Sequence, residues 1–346
     1  MTANPDMVRL FKAELELCKL TPDETLAVLT EGDERRDYAD AFLAAADELG
    51  ATTFQINLSK KSPPPGETRK TTSITGNKPA IAALKQADIV VDLLGLLWSA
   101  EQKEVTDAGT RMLMVREPFD VLQRLFPRHD LRRRVEAAQA MLKEAKELRI
   151  TSPAGTDVTY RLGAYPVLTQ YGYTDEAGRW DHFAGGFLYT GAYDDGVDGT
   201  VVIDTGDILF PFKRYLNDPV KLTIERGMVT KIEGKTVEAE LLRAFMARYN
   251  DPRAFAVSHI GWGMDEKAQW DFLGTGPNAL QCSGCDGRAF YGNVLFSTGP
   301  NLELGGKNDT GCHMDIPLRG CTLTLDGKTI VKDGLLQPKD LRAPGM

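Results

Sequence analysis

The segment ETLAVLTEGDERRDYADAFLAAADELGATTFQINL, residues 24–58, decides the fold of the first part of the chain. Residues 24–30 form a short apolar run that is typical of a strand. Residues 35–50 have helical spacing and end at Gly50, which favours a helix C-terminus, and residues 51–58 alternate as a strand does. A helix between two strands is typical of a parallel sheet covered by helices.

The same alternation continues along the chain. Prolines in residues 61–70 indicate a loop, residues 77–87 have a helical pattern, and residues 88–97 read as a buried strand. Residues 101–109 and 110–115 repeat the helix–strand unit. We therefore predict an α/β N-terminal domain with a mostly parallel sheet and helices on both faces. No GxGxxG or Walker motif follows these strands, so the pattern gives no sign of a nucleotide site.

The pattern changes after a charged amphipathic helix predicted at residues 130–148. Residues 148–162 are predicted to form a hairpin with Pro-Ala-Gly at the turn, and a second hairpin is predicted to turn at Arg226-Gly227. Residues 236–250 have helical spacing, and the remainder is rich in Gly and irregular. This mixture predicts an α+β C-terminal domain.

The predicted domain boundary lies near residue 148. It gives an α/β domain at residues 1–148 and a metal-binding catalytic α+β domain at residues 149–346. The assignment of metal binding to the second domain depends on the histidines that it contains, which are considered below.

Composition and charge restrict the class of protein. Of the 346 residues, 42% are hydrophobic and 26% are charged, which is typical of a soluble globular protein. A formal net charge of −8 argues against nucleic acid or an anionic membrane as the main partner. The N-terminal residues lack the apolar run of a signal peptide, and no apolar run is long enough to span a membrane. We expect a cytoplasmic protein with free thiols.

A His-x-Asp pair, His313 and Asp315, is the first candidate for chemistry. On a strand, residues i and i+2 point to the same face, so these two side chains would converge. Two histidines and one carboxylate on one side of a metal leave three positions open, as in non-haem Fe(II) oxygenases. The same ligands also suit zinc and hydrolysis. A structural histidine bonded to nearby backbone is the simpler alternative.

The other histidines differ in their surroundings. His259 follows an apolar run that ends at a Gly-Trp-Gly turn, and it is the better third ligand. His182 stands between aromatic residues and could act as an acid or base, although packing of a loop explains it equally well. His129 begins a charged helix and fits a solvent-facing or capping role.

The five cysteines include a single CxxC, Cys282 and Cys285, with Cys312 and Cys321 farther along. A structural zinc site usually needs a second such pair or a histidine pair, and the last two cysteines are spaced too widely. The CxxC does not open a helix after a strand, as a redox motif would. The cysteines therefore favour packing over a site.

Four long segments carry a resemblance to a known family. They are YGYTDEAGRWDHFAGGFLYT (171–190), TVVIDTGDILFPFKRY (200–215), NDPRAFAVSHIGWGMDEKAQW (250–270) and DGRAFYGNVLFSTGPNLELGGKNDTGCHMDIPLRGC (286–321). The chain resembles the 2,5-dihydroxypyridine 5,6-dioxygenases, which open a ring in bacterial nicotinic acid catabolism. That family is related in fold to the aminopeptidase T-like leucyl aminopeptidases, which carry two metals.

The resemblance implies a site and a reaction. It implies that Fe(II) is bound by His259, His313 and Asp315, that a hydroxylated pyridine and O₂ are the reactants, and that N-formylmaleamate is the product. It also implies that His182 assists proton movement at a ring hydroxyl and that Ser297 hydrogen-bonds a ring substituent. Relatives of this kind assemble, so a homo-oligomer is expected.

Two positions depart from the family pattern. The family carries Glu where this chain has Gln170 in TQYGY, and His where this chain has Trp98 in LLWSAEQ. Gln cannot take a proton, and Trp adds bulk and only an N–H donor. Both residues are predicted to contact the substrate, so the ring that this chain opens could be a substituted dihydroxypyridine.

Two rival functions stay open on the sequence alone. A metallo-aminopeptidase on the same scaffold would need a second metal, with Glu266 and Glu303 as its candidate ligands. A protein that binds aromatic acids and merely retains a metal is the non-enzymatic alternative. A dioxygenase would consume O₂ when given a dihydroxypyridine, whereas neither rival would.

Overall fold

The computed structural model describes residues 4–61, 72–97, 99–278 and 281–346. Trp98 and nearly all of the predicted loop at residues 61–70 lie outside these ranges.

The chain divides into two compact units, described separately below. Unit 1 comprises residues 1–127 and 170–185, and unit 2 comprises residues 128–169 and 186–346. The predicted boundary at residue 148 stays a prediction; the compact units assign residues 128–148 to unit 2 and return residues 170–185 to unit 1.

The helices are short to medium in length. In the described residues they are α1 (Pro5–Leu17), α2 (Arg36–Glu48), α3 (Lys78–Leu84), α4 (Ala100–Asp107), α5 (Phe119–Arg124), α6 (His129–Glu144), α7 (Val237–Ala247), α8 (Phe272–Thr275) and α9 (Cys285–Ala289). Single 3₁₀ turns occur at Phe210–Phe212, Pro252–Phe255, Leu302–Leu304 and Lys339–Leu341.

The strands are concentrated after residue 146. They are β1 (Thr25–Glu31), β2 (Thr52–Leu58), β3 (Ile89–Asp92), β4 (Arg111–Val115), β5 (Glu147–Thr151), β6 (Asp157–Arg161), β7 (Leu168–Gln170), β8 (Trp180–Phe183), β9 (Phe187–Gly191), β10 (Val197–Ile203), β11 (Ile208–Leu209), β12 (Arg214–Tyr215), β13 (Val220–Glu225), β14 (Met228–Glu233), β15 (Val257–Gly263), β16 (Val294–Thr298), β17 (Met314–Leu318), β18 (Thr322–Leu325), β19 (Lys328–Lys332) and β20 (Leu335–Leu336).

Unit 1 is built on a five-stranded sheet in the order β2-β1-β3-β4-β8, and every neighbouring pair is parallel. Strands β3 and β4 are buried along their whole length, as expected for a parallel sheet that is covered on both faces. The predicted parallel sheet is therefore confirmed. The fifth strand, β8, comes from beyond the predicted boundary, and the sequence pattern did not assign it to this sheet.

Strand β3 is shorter than the apolar run at residues 88–97 predicted. The carboxylate of Asp92 accepts hydrogen bonds from the backbone N–H groups of Leu94, Gly95 and Leu96, at 2.9, 2.8 and 2.6 Å. These bonds fold the chain into a turn directly after Asp92, because a short acidic side chain can cap the next few amides. Leu93 and Leu96, which follow Asp92, are therefore buried outside the strand.

Unit 2 contains two larger sheets and a two-stranded one, β11-β12. The eight-stranded sheet has the order β14-β13-β10-β6-β5-β18-β19-β20, and the five-stranded sheet has the order β17-β16-β15-β9-β7. Both predicted hairpins are present, as β5-β6 and β13-β14. Arg226 and Gly227 both have positive φ, at 50° and 77°, as a two-residue hairpin turn of this kind requires. The chain is thus a mixed α/β fold with one parallel sheet and antiparallel sheets.

Alternation along three adjacent strands separates a core face from a polar face in the five-stranded sheet. Ile260, Phe296 and Ile316 lie side by side in register on β15, β16 and β17 and belong to the apolar core of unit 2. His259 and Asp315 each stand one position away, so their side chains point to the opposite face. The Gly-rich segment that was predicted to be irregular in fact supplies these strands.

Close approach of strands requires glycine at residue 261. A Cβ at this position would lie 1.9 Å from the carbonyl oxygen of Leu188 on the neighbouring strand β9, which is far too close for two atoms that are not bonded. Strand β15 carries His259 two residues earlier. The position of the candidate ligand therefore depends on this contact between β9 and β15.

No helix within the described ranges combines the length and the apolar character needed to cross a membrane.

We expect Gly261→Ala to destabilise the protein by about 3 kcal/mol or more, which is at or above the usual cost of overpacking a core. The cost is high because the added methyl group would meet the backbone of Leu188, which cannot move aside as a side chain can. The midpoint of chemical denaturation, followed by circular dichroism, measures this loss. Gly274→Ala is the control, because a Cβ there has no atom within 4 Å. Equal midpoints for both variants would show that β15 can shift to accept a side chain.

Candidate metal centre

Three side chains of unit 2 bring one ligand atom each to a common point. The Nε2 atoms of His259 and His313 are 3.3 Å apart, and each is 3.2 Å from Oδ1 of Asp315. His259 and Asp315 have side chains that are 3% exposed, and that of His313 is 22% exposed. The three residues predicted as metal ligands are therefore assembled, with one imidazole reaching the surface of the site.

The order of strands explains this assembly. His259 lies on β15, Asp315 lies on β17, and β16 runs between them. His313 immediately precedes β17, two residues before Asp315, so the extended backbone aims both side chains to one face. The His-x-Asp spacing thus acts as the sequence pattern predicted.

The donor set fits a divalent cation. Oδ1 of Asp315 is buried and accepts no hydrogen bond within the described part of the chain, although two imidazole nitrogens lie beside it. Three ligand atoms on one face of an octahedron lie about 3 Å apart when each is about 2.1 Å from the metal. The observed separations are close to that value, so a cation would satisfy a carboxylate oxygen that the protein leaves without a donor.

The electrostatics keep these ligands in the protonation states that a metal needs. Burial favours a raised pKa for Asp315, but the charges of His313 and Arg288 and the closeness of both imidazoles hold that pKa well below its usual range. Burial lowers the pKa of His313, against the opposing effect of Asp315. A carboxylate and a neutral imidazole are the forms that bind metal.

Arg288, on α9, contacts the second oxygen of the candidate carboxylate ligand. Its Nε donates to Oδ2 of Asp315 at 2.7 Å, and its Nη1 donates to the carbonyl oxygen of Ser283 at 2.8 Å. Its guanidinium carbon lies 4.8 Å from the centre of the Phe210 ring. Sequence reasoning did not identify this arginine, because no spacing pattern connects it with the His-x-Asp pair.

Ser297, on β16, bonds the backbone of one candidate ligand and lies opposite another. Its hydroxyl accepts from the backbone N–H of His259 at 2.8 Å and donates to the carbonyl oxygen of His259 at 2.7 Å. It also stands directly opposite Asp315 in the β16-β17 ladder. The register between β15 and β16 shifts between Val257 and Ile260, so the hydroxyl supplies bonds where the regular ladder is interrupted.

A cavity of about 360 Å³ borders the triad within unit 2. This volume lies in the range of about 300–1,000 Å³ that is typical of small-molecule sites. Its lining combines aromatic rings, two positively charged side chains and two of the candidate ligands: Phe210, Pro211, Lys213, Phe245, Ser283, Arg288, His313 and Asp315.

The two glutamates considered for a second metal have different surroundings. Glu266 accepts from Nη2 of Arg128 at 2.6 Å and from Nη2 of Arg134 at 2.7 Å, so its charge is already neutralised. Both carboxylate oxygens of Glu303 are buried and accept no hydrogen bond from another described residue. Burial raises the pKa of Glu303 to about 7, while His259 lowers it and Asp315 raises it.

The remaining predicted site residues that are described lie in unit 1. His182 is on β8 and Gln170 ends β7, and both are buried. The carboxylate of Asp181 accepts from the backbone N–H groups of Tyr171 and His182, at 3.2 and 2.8 Å, so it connects the segment after Gln170 with the strand of His182.

His129, in unit 2, is the first residue of α6 and is exposed, in keeping with a solvent-facing role.

All five cysteines are buried, and none of them forms a disulfide in this structure.

A family model described as NicX, 2,5-dihydroxypyridine 5,6-dioxygenase, matches residues 6–338. The chain is 43% identical over 349 residues to the 2,5-dihydroxypyridine 5,6-dioxygenase of Pseudomonas putida KT2440, and the match covers 99% of both proteins.

Two solved structures are similar to the chain. The structure of 2,5-dihydroxypyridine dioxygenase from Pseudomonas putida KT2440 has a TM-score of 0.94 and 42% identity, and covers 97% of this chain and 98% of that one. Wild-type AmpT from Thermus thermophilus has a TM-score of 0.61 and 14% identity, over 96% of this chain and 99% of that one. At that identity, the second likeness shows a shared fold alone.

We expect Ser297→Ala to lower the free energy of unfolding by about 1–3 kcal/mol, because it leaves the backbone N–H and C=O of His259 without their partners. Displacement of His259 should also weaken binding of Co²⁺ by about 10-fold or more. Denaturation and isothermal titration calorimetry measure the two effects. Ser152→Ala, at the turn between β5 and β6, is the control; an unchanged Co²⁺ affinity in Ser297→Ala would refute the link to His259.

We expect Glu303→Gln to change the pH dependence of stability in the metal-free protein. The pKa of Glu303 is about 7 in the folded chain and about 4.3 when unfolded, so the protonated side chain contributes fully to stability below pH ~4, and this contribution is lost as the pH rises through 7. Gln does not titrate, so between pH 5 and pH 8 the free energy of unfolding of the variant should rise by on the order of 1–3 kcal/mol relative to that of the wild type. Denaturation midpoints at both pH values measure this; parallel curves would contradict it.

Proposed function

The chain belongs to the 2,5-dihydroxypyridine 5,6-dioxygenase family, so we propose that it opens the ring of 2,5-dihydroxypyridine or a close relative with O₂. It is a ring-cleaving dioxygenase of that type. The finer proposal is that Fe(II) is the metal and that N-formylmaleamate is the product. Both oxygen atoms of O₂ enter that product, so one O₂ is consumed for each ring.

The observation that carries the proposal is the triangle formed by His259, His313 and Asp315, with edges of 3.2 to 3.3 Å. Two imidazoles and one carboxylate on one side of a metal leave the other side for substrate and O₂. When bound, Fe(II) would supply the electron transfer that allows O₂ to react with the ring. The same ligands suit zinc, so the iron assignment rests on the family together with this open arrangement.

The protein's part is to position the ring and to control its protons. The cavity beside the triad offers aromatic walls in Phe210 and Phe245 and positive charge in Lys213 and Arg288. Lys213 Nζ donates to the carbonyl oxygen of Cys282 at 2.9 Å, which fixes the position of its charge. An anionic hydroxypyridine suits such a lining, because the positive side chains attract the negative charge of the substrate.

We propose that His182 is the acid or base that moves the hydroxyl proton of the ring. Support comes from its burial and from Asp181, whose carboxylate accepts the backbone N–H of His182 and holds that strand position. Ser297 is proposed to contact the substrate, and its proton is already directed to the carbonyl of His259. Towards a substrate this hydroxyl would therefore accept a hydrogen bond.

Gln170 and Trp98 are proposed to adjust the choice of substrate. A Gln in place of the family's Glu keeps an acceptor but loses the ability to take a proton. Trp98 lies outside the described residues, so its role rests on the sequence alone. A cytoplasmic location and a homo-oligomeric state likewise remain proposals from the sequence.

A metallo-aminopeptidase is the less favoured alternative. It needs a second metal, and Glu266 is already held between Arg128 and Arg134. The likeness to AmpT extends to the fold alone.

The test is anaerobic purification with Fe(II), followed by measurement of O₂ uptake and absorbance with 2,5-dihydroxypyridine. We expect one O₂ consumed per ring and loss of the substrate's absorbance. His259→Ala and His313→Ala should lose both iron and turnover, because each removes a proposed ligand. Hydrolysis of peptides without O₂, or a variant that keeps iron and most of its rate, would overturn the assignment.

A further inference from the structure

We infer that Arg288 is a positioning residue that holds Oδ2 of Asp315 and so leaves Oδ1 as the single oxygen that this carboxylate offers to a cation. The inference rests on the metal centre of the proposed function. It concerns how the carboxylate is held, and it does not depend on which ring is cleaved.

The two oxygens of Asp315 have different environments. Oδ1 faces both imidazoles at 3.2 Å and accepts no hydrogen bond among the described residues, whereas Oδ2 receives a charge-assisted bond of 2.7 Å from Arg288. Charge-assisted hydrogen bonds are about twice as strong as neutral ones. Rotation of the carboxylate to present both oxygens to one metal would break that bond in a site where Asp315 is 3% exposed.

Arg288 is itself fixed at two further points. Its Nη1 donates to the carbonyl oxygen of Ser283, and its guanidinium lies over the ring of Phe210, at 2.8 and 4.8 Å respectively. Its side chain is 18% exposed. A guanidinium held by a carboxylate, a carbonyl and an aromatic face has little freedom to move, so it transmits a defined orientation to Asp315.

The charge of Arg288 also limits the number of metals. A carboxylate that bridges two cations must give one oxygen to each, and here a permanent positive charge already lies 2.7 Å from Oδ2. A second divalent cation at Oδ2 would have to displace this guanidinium or accept strong repulsion from it. The geometry therefore disfavours a second cation bridged through Asp315.

The experiment is an anaerobic titration of the metal-free full chain with Co²⁺, followed by calorimetry and by the visible spectrum of the bound ion. We expect one Co²⁺ per chain in the wild type. Arg288→Met should weaken binding by about 10–100-fold, as for other residues that orient a ligand, and should alter the Co²⁺ spectrum. Arg288→Lys, which keeps the charge and a donor, should recover part of the affinity.

Arg149→Met is the matched control, because Arg149 pairs with Asp157 between exposed side chains on β5 and β6. It should bind Co²⁺ as the wild type does. If Arg288→Met does not fold by circular dichroism, Arg288→Gln takes its place. Wild-type affinity and spectrum in the folded variant, or two Co²⁺ at the triad of the wild type, would overturn the inference. Because no turnover is involved, these outcomes are distinct from failure to cleave a dihydroxypyridine.

Discussion

Two imidazole nitrogens and one carboxylate oxygen meet at 3.2 to 3.3 Å on the polar face of a sheet, and this convergence is the constraint on which the site depends. The carboxylate oxygen at its centre has no hydrogen-bond donor among the described residues, which is costly in a buried setting. A cation bound to all three atoms would remove that cost. The protein therefore holds the ligands in place in advance, and the sheet maintains the arrangement.

Strand β16 is central to that arrangement, because it lies between the strands that carry His259 and Asp315. Ser297 on this strand bonds the backbone of His259 and faces Asp315 across the ladder. On the other side of the sheet, Phe296 belongs to the apolar core of unit 2. Packing of the core thus fixes the register of the strands, and the register fixes the distances between the ligands. Arg288 adds the last constraint by engaging the outer oxygen of Asp315.

The sequence predicted the parallel sheet of unit 1, both hairpins and the convergence of His313 with Asp315, because each depends on local periodicity or on the spacing of i and i+2. His259 was chosen as the third candidate from the few histidines and from the family resemblance, and the role of the three residues as ligands stays a prediction. The sequence did not predict the strands of the Gly-rich segment, since Gly261 is selected by close contact with β9, which no local pattern reveals. It overestimated β3, because the capping carboxylate of Asp92 overrides apolar character. Arg288 was missed for a related reason: its importance comes from a contact across the fold.

The wide separation of the ligands along the chain has a consequence inside the cell. An unfolded chain does not hold His259 near Asp315, so a divalent ion would bind the native sheet and hardly the unfolded chain, and its binding energy would add to the stability of the native state. Newly made chains in a cell poor in that metal would unfold more often and meet proteases more often. The amount of this enzyme would then follow the cell's supply of the metal without any change in its synthesis.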